Sequence, residues 1–192
     1  MVRRPFPLLV AAALLLAISG LGWADELVSV CFNYGCASEA VAAFSEERLK
    51  LLQDSLNLAS NPEQERALLA LAVGSLYSWA GEQTPIHADK GGNYADEGEY
   101  GTMDCIDHSL TTERFLQVLD RRHMLRFHRL GGRVHRVRHL VMEHNAVAID
   151  EINSDDGEAT VRYVVDSWYV DNGKPALIMP LQNWMDGEGP DV

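Results

Sequence analysis

The stretch HNAVAIDEINSDDGEATVRYVVDSWYV, residues 144–170, decides the fold class. Two runs rich in β-branched and aromatic residues, 144–152 and 159–170, flank the turn-forming NSDDGE, so they read as an antiparallel pair. Asp166 is out of character in the second run. A carboxylate between Val165 and Trp168 is costly to desolvate unless a hydrogen-bonding or charged partner meets it. With the turn centred near residue 155, His144 falls roughly opposite Asp166 and is the nearest such partner.

Upstream of this pair the strand pattern continues. LRFHRL (125–130) alternates, Gly131 and Gly132 are expected to turn it, and RVHRVRHLVM (133–142) alternates again. Before residue 125 the periodicity is helical. Ser45 can cap a helix reaching about Asn57, and Asn61 a second one that begins with Pro62 and stops at Gly81. Their apolar stripes include Leu49, Leu52 and Leu56, then Leu68, Leu76 and Trp79. Two short extended runs around Asn33-Tyr34-Gly35 make an N-terminal hairpin, and a tail containing Trp184 closes the chain. Helices come first and strands second, which gives an α+β class: a hairpin and helices packed on an antiparallel sheet.

Residues 84–103 differ from both halves. TPIHADKGGNYADEGEYGTM is rich in Gly and acids, and reads as one surface loop or flap. Asp96, Glu97 and Glu99 fit no Ca²⁺ loop template, so they read as solvated acids.

The loop leads into GTMDCIDHSLTTERFL (101–116), where Cys105 stands at the start of a third helix running to about Arg122. A helix N-terminus offers unpaired N–H groups and a positive dipole end, both of which favour a thiolate. A cysteine nucleophile also needs a histidine to take its proton and a carboxylate or amide to hold that ring. Cys105, His144 and Asp166 occur in that order, on a helix start and two successive strands. Taken singly, each has a plainer reading: an inert buried thiol, a core histidine, a strand-end acid bonded to an N–H. Asp104 and Asp107 flank the thiol and oppose its ionisation unless they are used as caps, a role that suits Asp107. For an oxyanion the Cys105 N–H is the candidate donor, joined by Gln83 or Trp79 if the flap folds over.

The first 24 residues read as a signal peptide. Arg3 and Arg4 precede an apolar run that is short for a membrane span, and small residues lead to a cleavage point after Ala24. The remaining 25–192 suit a single domain. The expected location is periplasmic or extracellular, with no stable membrane insertion. The full chain holds 192 residues at a formal charge of −12, and residues 25–192 carry 14 basic against 28 acidic side chains. That balance argues against nucleic-acid partners. Cys31 and Cys36, in CFNYGC, can bridge across a turn in an oxidising compartment; a partial metal site or two buried thiols are the alternatives. Between Arg121 and His139 lie seven arginines, four histidines and no acid. This run either seats an anionic substrate or is solvated and paired with the acidic loop. Asp104 and His108 show no recognised ligand spacing, and no cofactor motif is present.

Helix-borne Cys, then His on a strand, then Asp on the neighbouring strand resembles the transglutaminase-like branch of the papain-like cysteine enzymes. The residues that carry this resemblance are GTMDCIDHS, HNAVAI and VVDSWY, spanning about 100–170. The chain also resembles small exported bacterial proteins that share DCID and VDSW segments. The resemblance implies a transglutaminase-like core with Cys105 as nucleophile, His144 as general base and acid, and Asp166 as the orienting carboxylate. It implies amide chemistry (peptidase, amidase, other hydrolase or acyltransferase) on a peptide or cell-wall-derived amide. The alternative is a non-catalytic binding or assembly module working through a basic strand face.

Overall fold

The computed structural model describes residues 25–138, 142–152 and 159–190. The expected leader, the 153–158 turn and residues 139–141 of the expected 133–142 strand lie outside them. The chain is α+β. Strands β1 (Glu26–Phe32) and β2 (Ser38–Phe44) form the N-terminal hairpin, closed by a Cys31–Cys36 disulfide. Helices α1 (Glu46–Leu56), α2 (Pro62–Gly81) and α3 (Cys105–Arg121) follow, with a 3-10 turn at Pro85–Ala88 inside the long loop. Strands β3 (His128–Arg138), β4 (Met142–Ile152), β5 (Ala159–Asp166) and β6 (Leu177–Pro180) make an antiparallel sheet in that order, and α4 (Leu181–Met185) lies beyond it. Among the described residues no helix is long and apolar enough to cross a membrane.

The helix ends follow local chemistry. The Ser45 hydroxyl accepts from Arg48 N–H at 3.3 Å, and the Asn61 side chain accepts from Gln64 N–H at 2.9 Å ahead of Pro62. The apolar stripes of the helices and the inner face of the sheet share one core around Phe44, Leu69, Leu76, Phe115, Ile149 and Val165. Phe115 carries α3 into it, edge-on to Phe44 at 5.6 Å and to Tyr77 at 5.1 Å.

Two expectations change. Gly131 and Gly132 do not turn the chain; they form a bulge within the single strand β3, where pairing with β4 shifts between Leu130 and Gly132. Gly132 has φ 81°, and a Cβ on Gly131 would sit 2.7 Å from an Asp150 carboxylate oxygen. An extra residue accommodated by glycine bends a strand without ending it. The closing segment, expected as a tail, supplies both the edge strand β6 and helix α4, and Trp184 on that helix is fully buried.

At the sheet's start a buried carboxylate–histidine contact fastens strand to helix. Glu65 of α2 meets His128 Nδ1 at 2.8 Å and accepts from the Arg126 and Phe127 N–H groups at 2.6 and 3.0 Å. Burial works to raise its carboxyl, but these hydrogen bonds outweigh it and hold it below the usual range. The pair joins α2 to β3, and α3 packs against β4.

Candidate active site

Cys105 is the first residue of α3, and the two neighbouring aspartates explain its placement. Asp104 is the N-cap, correcting the expectation that Asp107 takes that role. Its Oδ1 accepts from the Ile106 and Asp107 N–H groups at 3.0 and 2.8 Å. Asp107 completes a capping box by accepting from the Asp104 N–H at 3.2 Å. Both carboxylates also hold the hairpin turn. Asp107 accepts from Tyr34 N–H at 2.8 Å and Cys36 N–H at 2.6 Å, and Asp104 from Gly35 N–H at 3.0 Å. Burial, and then the Asp104 charge beside it, push the Asp107 carboxyl up to about 6.

This carboxyl makes a testable contribution to stability. A group whose folded pKa lies above its ordinary value near 4 stabilises the fold fully below that value, and the contribution is lost as pH rises through 6. Between pH 4 and 7 the urea midpoint is therefore expected to fall with rising pH, and Asp107→Asn to flatten that slope. An unchanged slope in the variant would remove Asp107 as its source.

His144 and Asp166 meet as the strand pattern requires, though not straight across. Val147 pairs with Val165 and Ala148 with Val164, which sets Asp166 opposite Ala146. His144 is thus the diagonal neighbour two residues on, still on the same face, and its Nε2 lies 2.7 Å from Asp166 Oδ2. One residue of this two-residue offset from the expected register arises at an irregularity between Asp150 and Ile152, since Ile152 pairs with Ala159 and Asp150 with Arg162. Asp166 is 1% exposed, and three donors satisfy it: the His144 ring, Trp184 Nε1–H at 2.9 Å and Trp168 N–H at 3.2 Å. Burial alone would lower the His144 pKa. Hydrogen bonding to Asp166 and to the Cys105 sulfur, with their charges, overrides burial and raises it to about 9. With Nε2 held by Asp166, Nδ1 is the nitrogen left for the thiol. The structure thus brings all three expected residues into one site.

An aromatic wall fixes the imidazole. Trp168, Tyr169 and Trp184 lie 5.0, 5.4 and 5.6 Å from it, ring centre to ring centre. From the long loop, Tyr94 packs on Trp168 at 4.6 Å. Asp96 in that loop is buried and accepts from the Tyr34 hydroxyl, so it is not the solvated acid expected; Glu97 and Glu99 are exposed. Beside His144 opens a cleft of about 310 Å³, walled by Tyr94, Arg136, Arg138, Met142 and Tyr169.

A second cluster was not anticipated. His108, one turn after Cys105, places Nε2 3.0 Å from Asp89 and Nδ1 2.8 Å from the Ser167 hydroxyl. Ser167 in turn meets Thr112 at 2.9 Å and Tyr77 at 3.1 Å. The order Ser-His-Asp matches a nucleophile's relay. Every member is buried, though, and the Ser167 hydroxyl is fully used between neighbours. Its work is mechanical: it clamps α3 to the residue after Asp166, fixing the helix start against the end of β5. His108 is accordingly turned to Asp89 and Ser167 rather than joining Asp104 in a metal site.

The expected oxyanion partners also move. Gln83 bonds the Ala43 backbone and the Trp79 carbonyl, and Trp79 packs against Phe44. The side chain that does reach the thiol is Asn145, whose Nδ2 lies 3.6 Å from the Cys105 sulfur. An Asn directly after the candidate base was the available sequence signal. Among the described residues the basic run does not pair with the acidic loop: Arg121 and Arg122 meet Glu26, Arg122 also Glu46, Arg129 meets Asp150, and Arg133 meets Glu113. Cys105 is the free thiol, since Cys31 and Cys36 are bridged to each other.

Compared with protein-family models, with curated proteins and with solved structures, the chain matches none. What it does must therefore be argued from this geometry.

Proposed function

We propose that the protein is an exported cysteine-dependent amide-bond enzyme in which Cys105 is the nucleophile, His144 its base and later acid, and Asp166 the orienting carboxylate. One observation carries the reading: a buried Asp166–His144 pair at 2.7 Å, with Cys105 at a helix N-terminus near enough for its sulfur to help raise the imidazole pKa. Asp166 on Nε2 selects the tautomer with a basic Nδ1, the form that removes a thiol proton. The imidazolium so formed stabilises the thiolate, and the positive end of the α3 dipole adds to it. Attack on an amide carbonyl would form the S–C bond and place negative charge on the former carbonyl oxygen. The Cys105 N–H and Asn145 Nδ2 are the donors positioned for that charge. His144 would then protonate the leaving amine, and water or an amine acceptor would release the acyl group.

The resemblance to transglutaminase-like enzymes supports this reading. In the alternative of a binding module, Arg129 and Arg133 would have to leave carboxylates they already meet, and Arg136 is buried.

Iodoacetamide tests the thiol directly. At pH 6 it is expected to modify Cys105, identified by peptide mass, about 10³-fold faster in the native protein than in His144→Ala. A Cys105 that stays unmodified in the folded protein, or one indifferent to loss of His144, would end the reading.

A further inference from the structure

The cleft beside His144 contains two arginines that meet no carboxylate among the described residues. Arg136, directly across from His144 on β3, is 5% exposed. It donates to the Trp184 and Glu188 carbonyls and to the Tyr169 hydroxyl, its guanidinium lies 4.4 Å from the Trp184 ring centre, and its Nε has no partner. Arg138 stands two residues on, exposed, with one donor given to the Gly187 carbonyl at 2.9 Å. Among the described residues neither guanidinium meets a carboxylate, although the chain holds 28 acidic side chains. The other arginines of this strand, Arg129 and Arg133, both do. Glu143 also borders the cleft, but its carboxylate is turned to His135 at 3.5 Å.

Burying a guanidinium with neutral partners only is unfavourable, so such an arrangement is normally retained for an anion that arrives later. The site is also built to hold its shape. A Cβ on Gly187 would come within 2.5 Å of Arg138 Nε, and one on Gly189 within 2.9 Å of the Tyr169 hydroxyl. Glycine at both positions lets the tail backbone lie flat against these side chains. His144 lines the same cleft as Arg136 and Arg138, which places both arginines beside the imidazole of the candidate site.

We propose that this cleft is a carboxylate subsite, in which Arg138 contacts the anion directly and Arg136 supplies a buried positive potential behind it. Resting on the cysteine reading above, it assigns the substrate class: an acyl compound bearing a free carboxylate close to the scissile amide, as at the end of a peptide.

Two small alkylating agents, one anionic and one neutral, provide the test. In both, the sulfur displaces iodide and a thioether forms, so the ratio of rates, taken relative to that for free 2-mercaptoethanol, isolates the effect of the carboxylate. On that scale, at low ionic strength, iodoacetate is expected to modify Cys105 about tenfold faster than iodoacetamide. That ratio should fall severalfold in Arg138→Gln and in 0.5 M salt. A native ratio of one or less, or a ratio unchanged by Arg138→Gln, overturns the subsite. A binding measurement makes the test independent of thiol chemistry. In Cys105→Ala, N-acetylglycine but not N-acetylglycinamide is expected to shift Trp indole NMR resonances, and the shifts should vanish in the Cys105→Ala, Arg138→Gln double variant. Equal responses to acid and amide, or a response surviving in the double variant, overturn the subsite. If neither reagent alkylates Cys105 yet N-acetylglycine binds through Arg138, the cysteine reading fails and the anion subsite stands.

Discussion

Asp166→Asn is expected to lower the iodoacetamide rate of Cys105 at pH 6 by about 10² to 10³, with the fold retained. Asparagine has the right shape but cannot satisfy the site. His144 Nε2–H and Trp184 Nε1–H both donate to Oδ2, while Trp168 N–H donates to Oδ1. If the amide oxygen faces His144 and Trp184, the amide NH₂ confronts the Trp168 N–H. If the amide is flipped, its NH₂ confronts two ring donors and drives the imidazole toward the wrong tautomer. Either way the charge that stabilises the imidazolium is gone. The same substitution has a stability signature. His144 has a folded pKa near 9, above its ordinary 6.5, so its contribution is fully present below pH 6.5 and is lost as pH rises through 9. The urea-derived gap between native and variant should be about 3 kcal/mol at pH 6 and clearly smaller at pH 10. A gap of the same size at both pH values would mean that Asp166 does not act through a protonated His144.

How much of this was legible before the structure depended on the range of each signal. Period-2 and period-3.6 patterning located the helices and the β4–β5 pair, because one buried face imposes its period on the residues that form it. Ser45 and Asn61 announced their helices because a cap is decided within three residues. The triad candidates were visible for a similar reason: Asp166 is an expensive residue in an apolar strand, and parity alone puts His144 on its face. Register was readable only to within the irregularity near Asp150, since an added residue in a turn leaves no mark on alternation. Gly131-Gly132 looks the same in sequence whether it turns a strand or bulges it. Asp104 and Asp107 were ambiguous because half of their hydrogen bonds go to a hairpin some 70 residues earlier. Separation in sequence likewise hid Glu65 from His128, 63 residues apart, and Asp89 from His108, 19 apart across the long loop. Nothing local in LQNWMDG shows that its tryptophan reaches Asp166.

That last contact makes the chain's closing segment part of the site, and a second large effect follows. Trp184 is fully buried, packs with Ala146 and Val164, and is flanked by Val134, Met179 and Leu181. Trp184→Ala is expected to cost about 3 to 5 kcal/mol through the lost burial and the cavity left behind. For a domain of this size that lowers the melting temperature by about 10 °C. The cavity would open beneath the guanidinium of Arg136 and beside the His144 ring, so alkylation of Cys105 should fall as well. Trp184→Phe separates packing from hydrogen bonding. It keeps most of the apolar volume but removes the Nε1–H that Asp166 accepts at 2.9 Å, a loss worth about 1 to 2 kcal/mol. Its sharper readout lies in His144. With one donor fewer, the Asp166 carboxylate is held less firmly against Nε2, and the Cys105 alkylation rate at pH 6 should drop severalfold while most of the stability remains. If Trp184→Phe reacted as fast as the native protein, the indole would be only a core side chain and Asp166 would be positioned by the Trp168 N–H alone. If Trp184→Ala melted at the native temperature, α4 would not be packed where these contacts put it, and the wall behind the imidazole would have to be built from Trp168 and Tyr169.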